Sequence, residues 1–278
     1  MNIAELGRGV FAFTHPIPKF GNSNVGLVID HDGLTFIDTT ATPHRALEVA
    51  GLASQLTAEL DLPLKRVVLS SSRIPFVGGS ASLWKSAFYS SEATSAQLDS
   101  PANPDSFRRL LPELADAFPD DFTTRPATHV ITAPTPVTPA THAVCLPGES
   151  ETNLVMYVES ADVVFAGALA SFGVTPLAFD GFLKQWAESL DQLTDLAGTI
   201  IPGHGPPGGA QDAANLALYL RACIRANGKP EALEAGPWDD WTDQQFHPIN
   251  IERAARLQQG DYSIPTSMYR LLGFQPEG

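Results

Sequence analysis

The residues best suited to chemistry lie in one loop. Residues 67–69 (Val-Val-Leu) form an apolar run typical of a strand, and it leads into residues 70–73 (Ser-Ser-Ser-Arg). In α/β proteins, loops at the carboxyl ends of strands often carry the functional side chains. A serine hydroxyl can act there as a nucleophile, and an arginine can stabilise developing negative charge. Gly-Gly at 78–79 closes the loop and predicts a following helix that carries Leu83 and Trp84.

Two further segments hold ionisable side chains in turn-like contexts. Residues 147–150 read Pro-Gly-Glu-Ser, and residues 201–205 read Ile-Pro-Gly-His-Gly. Both Glu149 and His204 are of residue types that act as general bases. The other histidines lack His-x-His or His-x-x-His spacing, so we expect each to be exposed or hydrogen-bonded rather than a metal ligand; they are His15, His31, His44, His129, His142 and His247.

Taken in order, these segments resemble the metal-binding motifs of the metallo-β-lactamase fold. Members typically read Thr-His-x-His-x-Asp-His in the first loop, then Pro-Gly-His-Thr, Gly-Asp-Leu and Pro-Gly-His-Gly. The resemblance covers about residues 8–225. When the chain is aligned with these motifs, most of the metal ligands are replaced. In the first loop, Ser71, Arg73 and Phe76 occupy the positions of the three histidines, and Pro75 occupies that of the aspartate. In the later motifs, Glu149 replaces a histidine and Ala168 replaces the metal-bridging aspartate, while His204 is kept.

The resemblance therefore implies a site without metal or other cofactor. Zinc requires His nitrogen, Cys sulfur or carboxylate oxygen, and one histidine with one glutamate is too small a set. The replacements also balance charge, because Arg73 enters together with Glu149 while both aspartate positions become uncharged. We expect an ion pair between Arg73 and Glu149, which can be bidentate.

Two functions fit these residues, with a small organic molecule as substrate or ligand. The first is a metal-independent enzyme, either hydrolase-like or a lyase or isomerase that uses general base catalysis. In it Ser71 is a nucleophile, His204 or Glu149 is the base, and Arg73 stabilises an oxyanion. The alternative is a non-catalytic pseudoenzyme that binds a small molecule or a protein partner. Phe76 favours an apolar substrate pocket or a collapsed site. A third hypothesis, an ordinary zinc hydrolase whose loops are misaligned, lacks a histidine pair near residue 70.

The order of predicted elements matches the fold that the resemblance implies, an α/β (α+β) four-layer αββα sandwich. Asp-Gly at 32–33 predicts a hairpin, and Asp38 after it is expected to hold neighbouring loops by hydrogen bonds. Strands are predicted at 10–13, 24–29, 34–37, 66–69, 87–89, 129–131, 142–146, 154–158, 163–165 and 199–201. Helices are predicted after Thr42, at 107–118, at 180–193 and through residues 216–223. The strand-helix-strand order at 34–69 predicts a parallel pair with a right-handed crossover. We expect a single domain over residues 1–278, with an insertion near 100–127 and a C-terminal extension from about 226 that packs on the same domain.

The composition of the chain limits which classes of partner we expect. The chain has 278 residues, 44% hydrophobic, and a net charge of -14. Such a charge disfavours nucleic acid and anionic membrane surfaces as partners. The two cysteines, Cys145 and Cys223, are too few for a disulfide framework and are expected to be buried thiols. The N-terminus lacks a signal-peptide pattern and no apolar run spans a membrane, so we expect a cytoplasmic protein. Nothing in the sequence indicates an oligomeric state.

Overall fold

A computed structural model of the chain describes residues 1–274; residues 275–278, the end of the predicted domain, lie outside the described residues. Within 1–274, the first sheet has seven strands in chain order, β1 to β7. The first four strands pair antiparallel, and β4 to β7 pair parallel. The seven strands are Asn2–Gly7, Val10–Thr14, Val25–Asp30, Gly33–Ile37, Leu64–Val68, Ala87–Ser91 and His129–Ile131.

The second sheet has five strands among the described residues, in the order β12-β11-β10-β9-β8. Its strands β8 to β11 pair antiparallel, and β12 pairs parallel to β11. Strands β8 to β12 are Thr135–Thr138, Thr141–Leu146, Asn153–Val158, Val163–Ser171 and Thr199–His204.

Eight α-helices lie within residues 1–274, and each is too short or too polar to cross a membrane. Short 3-10 turns connect several of them. In chain order, α1 to α8 are Pro43–Leu56, Ile74–Val77, Glu92–Leu98, Pro104–Leu110, Leu183–Leu196, Ala210–Ala226, His247–Gln258 and Thr266–Leu271.

Three apolar interfaces stack these elements into four layers. Val49 and Ala53 of α1 pack on the outer face of the first sheet. The inner faces of the two sheets meet through side chains such as Val68 and Phe165. Helices α5 and α6 cover the second sheet, where Trp186 is fully buried. This arrangement confirms the predicted αββα sandwich, in which one face of each sheet packs against the other sheet and the opposite face packs against helices.

Several local predictions are confirmed. Strands β3 and β4 form the antiparallel hairpin at Asp-Gly, with Asp30 paired to Gly33. The Thr42 side chain accepts a hydrogen bond from the Arg45 amide at the start of α1, as an N-cap residue does. The β4-α1-β5 connection joins parallel strands. The carboxylate of Asp38, as expected, holds the loop after β5.

Three predicted helices differ in the structure. The stretch after Gly79 forms only a 3-10 turn at Ser80–Leu83. The glycine pair instead permits close packing, because a Cβ at Gly78 would lie 1.9 Å from the Ala41 carbonyl oxygen. The predicted helix 107–118 is divided into α4 and a 3-10 helix, Pro112–Ala117, because a proline disfavours helical geometry at the residue before it. The predicted helix 180–193 begins only at Leu183.

The insertion and the C-terminal extension form a fourth apolar cluster. Phe107 and Phe118 of the insertion pack with Ile249 of α7 and Met268 of α8. The same cluster includes Ile74, the first residue of α2. The two segments therefore meet over the loop that follows β5.

Candidate functional site

The loop after β5 places its candidate residues at different depths. Ser71 is buried and Arg73 is partly buried at the N-terminal end of α2. Phe76 lies within α2 and is also buried. The backbone therefore turns two of the three side chains away from solvent.

Arg73 is the centre of a buried ionic cluster. Its Nε lies 2.5 Å from Oε1 of Glu149, and its Nη2 donates a hydrogen bond to Asp180. The guanidinium carbon lies 4.4 Å from the centre of the Phe179 ring, which is a cation–π contact. The predicted Arg73–Glu149 pair is present, but it is not the bidentate pair considered from the sequence, because Asp180 takes the second nitrogen.

The carboxylate of Glu149 is surrounded by donors. The Ser71 hydroxyl lies 2.8 Å from Oε2, and Nδ2 of Asn153 lies 3.3 Å from the same oxygen. Together with Arg73, these groups supply three donors, which suits the acceptor-only ionised form of a carboxylate. The Glu149 side chain is only 8% exposed. We conclude that Ser71 and Asn153 stabilise the charge that Arg73 compensates.

Burial and charge act in opposite directions on this pair. Burial raises the pKa of Glu149, whereas the Arg73 cation opposes that increase. Burial by itself lowers the pKa of Arg73, but the negative charges of Glu149 and Asp180 outweigh burial and raise it. Arg73 therefore remains a cation at every ordinary pH.

His204 makes no hydrogen bond to this ionic cluster within the described part of the chain. Its ring is flanked by Phe20 and Phe76, at centroid distances of 5.3 Å and 5.0 Å. Within residues 1–274 its Nδ1 is buried without a hydrogen-bond partner. Burial lowers the pKa of His204 to about 4, so its imidazole is neutral at pH 7.

The proposed arrangement of Ser71 with His204 as base is not formed. The Ser71 hydroxyl bonds to Glu149 instead, and no hydrogen bond joins His204 to it within the described part of the chain. The turn around His204 is held by another residue: Nδ2 of Asn24 donates to the carbonyl oxygens of Pro202 and Gly205, each at 2.8 Å. The aromatic side chain at position 76 is the physical reason for the apolar surroundings of His204.

A second buried carboxyl group, that of Asp38, holds the loop after β5 by hydrogen bonds. The Oδ1 and Oδ2 atoms of Asp38 accept from the Ser70 amide and hydroxyl, both at 2.8 Å. The Ser70 Oγ also accepts from the Ala168 amide at 3.1 Å. Gly167 permits this contact, because a Cβ there would lie 2.3 Å from Ser70 Oγ. Burial raises the pKa of Asp38 to about 7.

Sequence reasoning missed four residues that complete the site: Asn153, Phe179, Asp180 and Arg253. Arg253 is buried and binds the carbonyl oxygens of Asp180 and Gly181, each at 3.0 Å. It also binds the Tyr262 carbonyl oxygen at 2.9 Å. These bonds hold residues 180–181 outside α5 and orient Asp180 toward Arg73. The sequence holds one signal for Arg253: it lies in a stretch of apolar residues, and an arginine buried among such residues requires specific partners.

A cavity of about 350 Å³ opens beside Arg73. Of the four catalytic candidates, Arg73 lines it, whereas Ser71, Glu149 and His204 do not. Phe76 also lies outside the lining of this cavity. The walls come from α2, the insertion, the loop before α5 and the C-terminal extension, and include Phe107, Leu110, Leu177, Phe179, Met268 and Leu272. The cavity is therefore largely apolar, with one cationic side chain.

Comparison with known proteins identifies the architecture. No family model matches the sequence. The structure is similar to a metallo-β-lactamase from Hirschia baltica, at 19% identity and a TM-score of 0.59, covering 78% of this chain and 96% of that chain. It is similar to FIM-1 from Pseudomonas aeruginosa in its mono-zinc form, at 21% identity and 0.59, covering 78% and 94%. The DIM-1 metallo-β-lactamase gives 16% identity and 0.60, covering 79% and 96%. The chain has the metallo-β-lactamase fold.

The metallo-β-lactamase fold usually implies zinc, but the residues here do not fit it. Within residues 1–274, no group of three or more His, Cys, Asp or Glu side chains is placed to hold a metal ion. The unpartnered Nδ1 of His204 offers one nitrogen, and Glu149 is already bound to Arg73. A guanidinium at the centre of the site would also repel a divalent cation.

Proposed function

We propose that this protein binds a small organic molecule, without metal, in the cavity beside Arg73. The observation that carries the proposal is the placement of Arg73 between Glu149 and Asp180, next to an apolar cavity. The ionic cluster occupies the groups that would perform chemistry, while the cavity remains open. Apolar pockets of roughly 300–1,000 Å³ with a few polar groups are typical ligand sites. The protein is then a pseudoenzyme of its fold.

A cavity-filling variant tests the proposal. Ala102 is half-buried on the loop between α3 and α4 and lines the cavity. In Ala102→Phe the added ring reduces the space, and Leu60→Phe is a matched control because Leu60 is 51% exposed elsewhere. A thermal-shift screen of small aromatic compounds should find compounds that raise the Tm of the wild type and Leu60→Phe but not of Ala102→Phe. Equal shifts in all three proteins, or no shift with any compound, would contradict the proposal.

A metal-independent enzyme is the second candidate. It is favoured by the 2.8 Å contact between the Ser71 hydroxyl and Glu149, which is the geometry of a nucleophile beside a base. Because both side chains are buried, this function requires the loop to open. Wild type, Ser71→Ala, Glu149→Gln and His204→Ala are to be assayed with esters and small carbonyl compounds. Loss of turnover in Ser71→Ala and Glu149→Gln supports this candidate, and unchanged turnover in both rejects it.

We also propose that the protein acts in the cytoplasm and does not bind nucleic acid or membranes. The two excluded partners are argued from the net charge of -14, which repels phosphate groups. Cell fractionation tests the location. Gel-shift and vesicle-sedimentation assays at low salt, where electrostatic attraction is strongest, test the two excluded partners.

A further inference from the structure

Arg73 has hydrogen-bonding capacity that the protein does not use. A guanidinium has five N–H groups. Nε donates to Glu149, and Nη2 donates to Asp180 and approaches the Glu149 carbonyl oxygen at 3.5 Å. Within residues 1–274, Nη1 makes no hydrogen bond, and it is not among the fully buried unpartnered atoms. Because Arg73 lines the cavity, these N–H groups are available to a ligand there.

The charge around Arg73 selects among possible acceptors. Two carboxylates, Glu149 and Asp180, already face one guanidinium, so the cluster carries a net negative charge when both are ionised. A ligand carboxylate would add a third negative charge in a half-buried place. A neutral carbonyl oxygen accepts the same hydrogen bonds without that repulsion.

The rest of the cavity selects an apolar body. Phe179 packs under the guanidinium, and Phe107, Leu177 and Met268 also line the space. Such walls favour aromatic or aliphatic groups by removing their surface from water. A purely apolar ligand would leave the Nη1 groups without an acceptor in a drier site, which is costly.

We propose that the cavity takes neutral carbonyl compounds with an apolar body, such as amides, ketones or esters, whose carbonyl oxygen accepts hydrogen bonds from Nη1 of Arg73. This ligand class rests on the proposed binding function. The proposal predicts that the corresponding carboxylates and hydrocarbons bind less tightly than the neutral carbonyl compounds.

Three matched probes test the proposal: hydrocinnamamide, hydrocinnamate and propylbenzene. Their affinities are to be measured by calorimetry or thermal shift. Wild type should bind hydrocinnamamide at least about tenfold more tightly than either other probe, as expected for a hydrogen bond to a charged group. In Arg73→Lys, which keeps the cation but removes the guanidinium fork, hydrocinnamamide should bind no better than propylbenzene.

A gain-of-function variant keeps the proposal testable if Arg73→Lys does not fold. The Asp180 side chain is 29% exposed, so Asp180→Asn is a mild change. It removes one negative charge and should tighten hydrocinnamate binding by about tenfold, as a change of one charge beside a partly buried site does. The effect is read as the ratio of hydrocinnamate to hydrocinnamamide affinity within each protein, because Asp180→Asn also changes a partner of Arg73. An unchanged ratio in a folded Asp180→Asn protein would refute the charge argument.

The outcomes separate the ligand class from the binding function. If the three probes bind equally, or hydrocinnamate binds best, and Ala102→Phe abolishes that binding, the cavity is a ligand site but the carbonyl class is wrong. If no probe binds at millimolar concentration and Ala102→Phe behaves as wild type, the binding function is wrong and the ligand class fails with it. Preference for hydrocinnamamide that is lost in Arg73→Lys supports both.

Discussion

We expect a large coupling free energy between Arg73 and Glu149, because each side chain compensates the buried charge of the other. Their side chains are 13% and 8% exposed, so neither charge is well solvated alone. Removing one partner of a buried pair typically costs about 3–5 kcal/mol. Glu149→Met leaves Arg73 bound to Asp180, which is 29% exposed, so we expect the lower end, about 3 kcal/mol. Arg73→Met leaves Glu149 with Ser71 and Asn153 as donors, and we expect a similar cost.

The double variant distinguishes coupling from two independent losses. Replacing both partners by Met removes both charges, so neither is left uncompensated. Its cost should be close to that of one single variant, which gives a coupling free energy of at least about 2 kcal/mol. The free energy of unfolding of all four proteins is to be measured in urea at pH 7, with tryptophan fluorescence as the signal.

A surface pair is the matched control for this cycle. Arg225 and Glu234 lie 2.7 Å apart, but their side chains are 53% and 65% exposed. Their coupling free energy should be close to zero. If the changes caused by Arg73→Met and Glu149→Met add within about 0.5 kcal/mol, the cluster does not stabilise the site as argued.

Three further predictions follow from the site. Protein purified without chelators and then incubated with zinc should hold less than about a tenth of an equivalent of zinc by mass spectrometry, since too few ligands are present; one or two tightly bound equivalents would show that the ligand positions are wrongly assigned. Gly167→Ala should lower the free energy of unfolding by roughly 1–3 kcal/mol, because a Cβ lies 2.3 Å from Ser70 Oγ, whereas Gly51→Ala in α1, with no atom within 4 Å, should raise it slightly. Burial raises the pKa of Asp38 to about 7, so the stability that its protonated form contributes is present below its ordinary pKa of 3.8 and is lost as pH rises toward 7, by up to about 4 kcal/mol. In urea titrations across this range, the free energy of unfolding should therefore decline more steeply for wild type than for Asp38→Asn. Parallel curves would contradict the raised pKa.

Much of the fold follows from local sequence patterns. Alternating and apolar runs with Asp-Gly, Pro and Gly between them predicted most strands, because strand and turn preferences depend on near neighbours. Strands β1 and β8 were not predicted, since β1 is largely exposed without clear apolar alternation and β8 contains a proline, which disfavours a strand. The apolar spacing of residues 107–118 predicts one helix, but Pro112 divides it because a proline disfavours helical geometry at the preceding residue.

The sequence alone also determined which residue types are available to the site, namely His204 and the oppositely charged Arg73 and Glu149. Only the tertiary structure decided how these groups are used. Asp180 reaches Arg73 because Arg253, from the C-terminal extension, binds the carbonyl oxygens beside it. Local patterns encode backbone conformation, but the partners and solvent access of a polar side chain depend on segments far apart in the chain, so the buried cluster and the adjoining cavity became visible only in the folded protein.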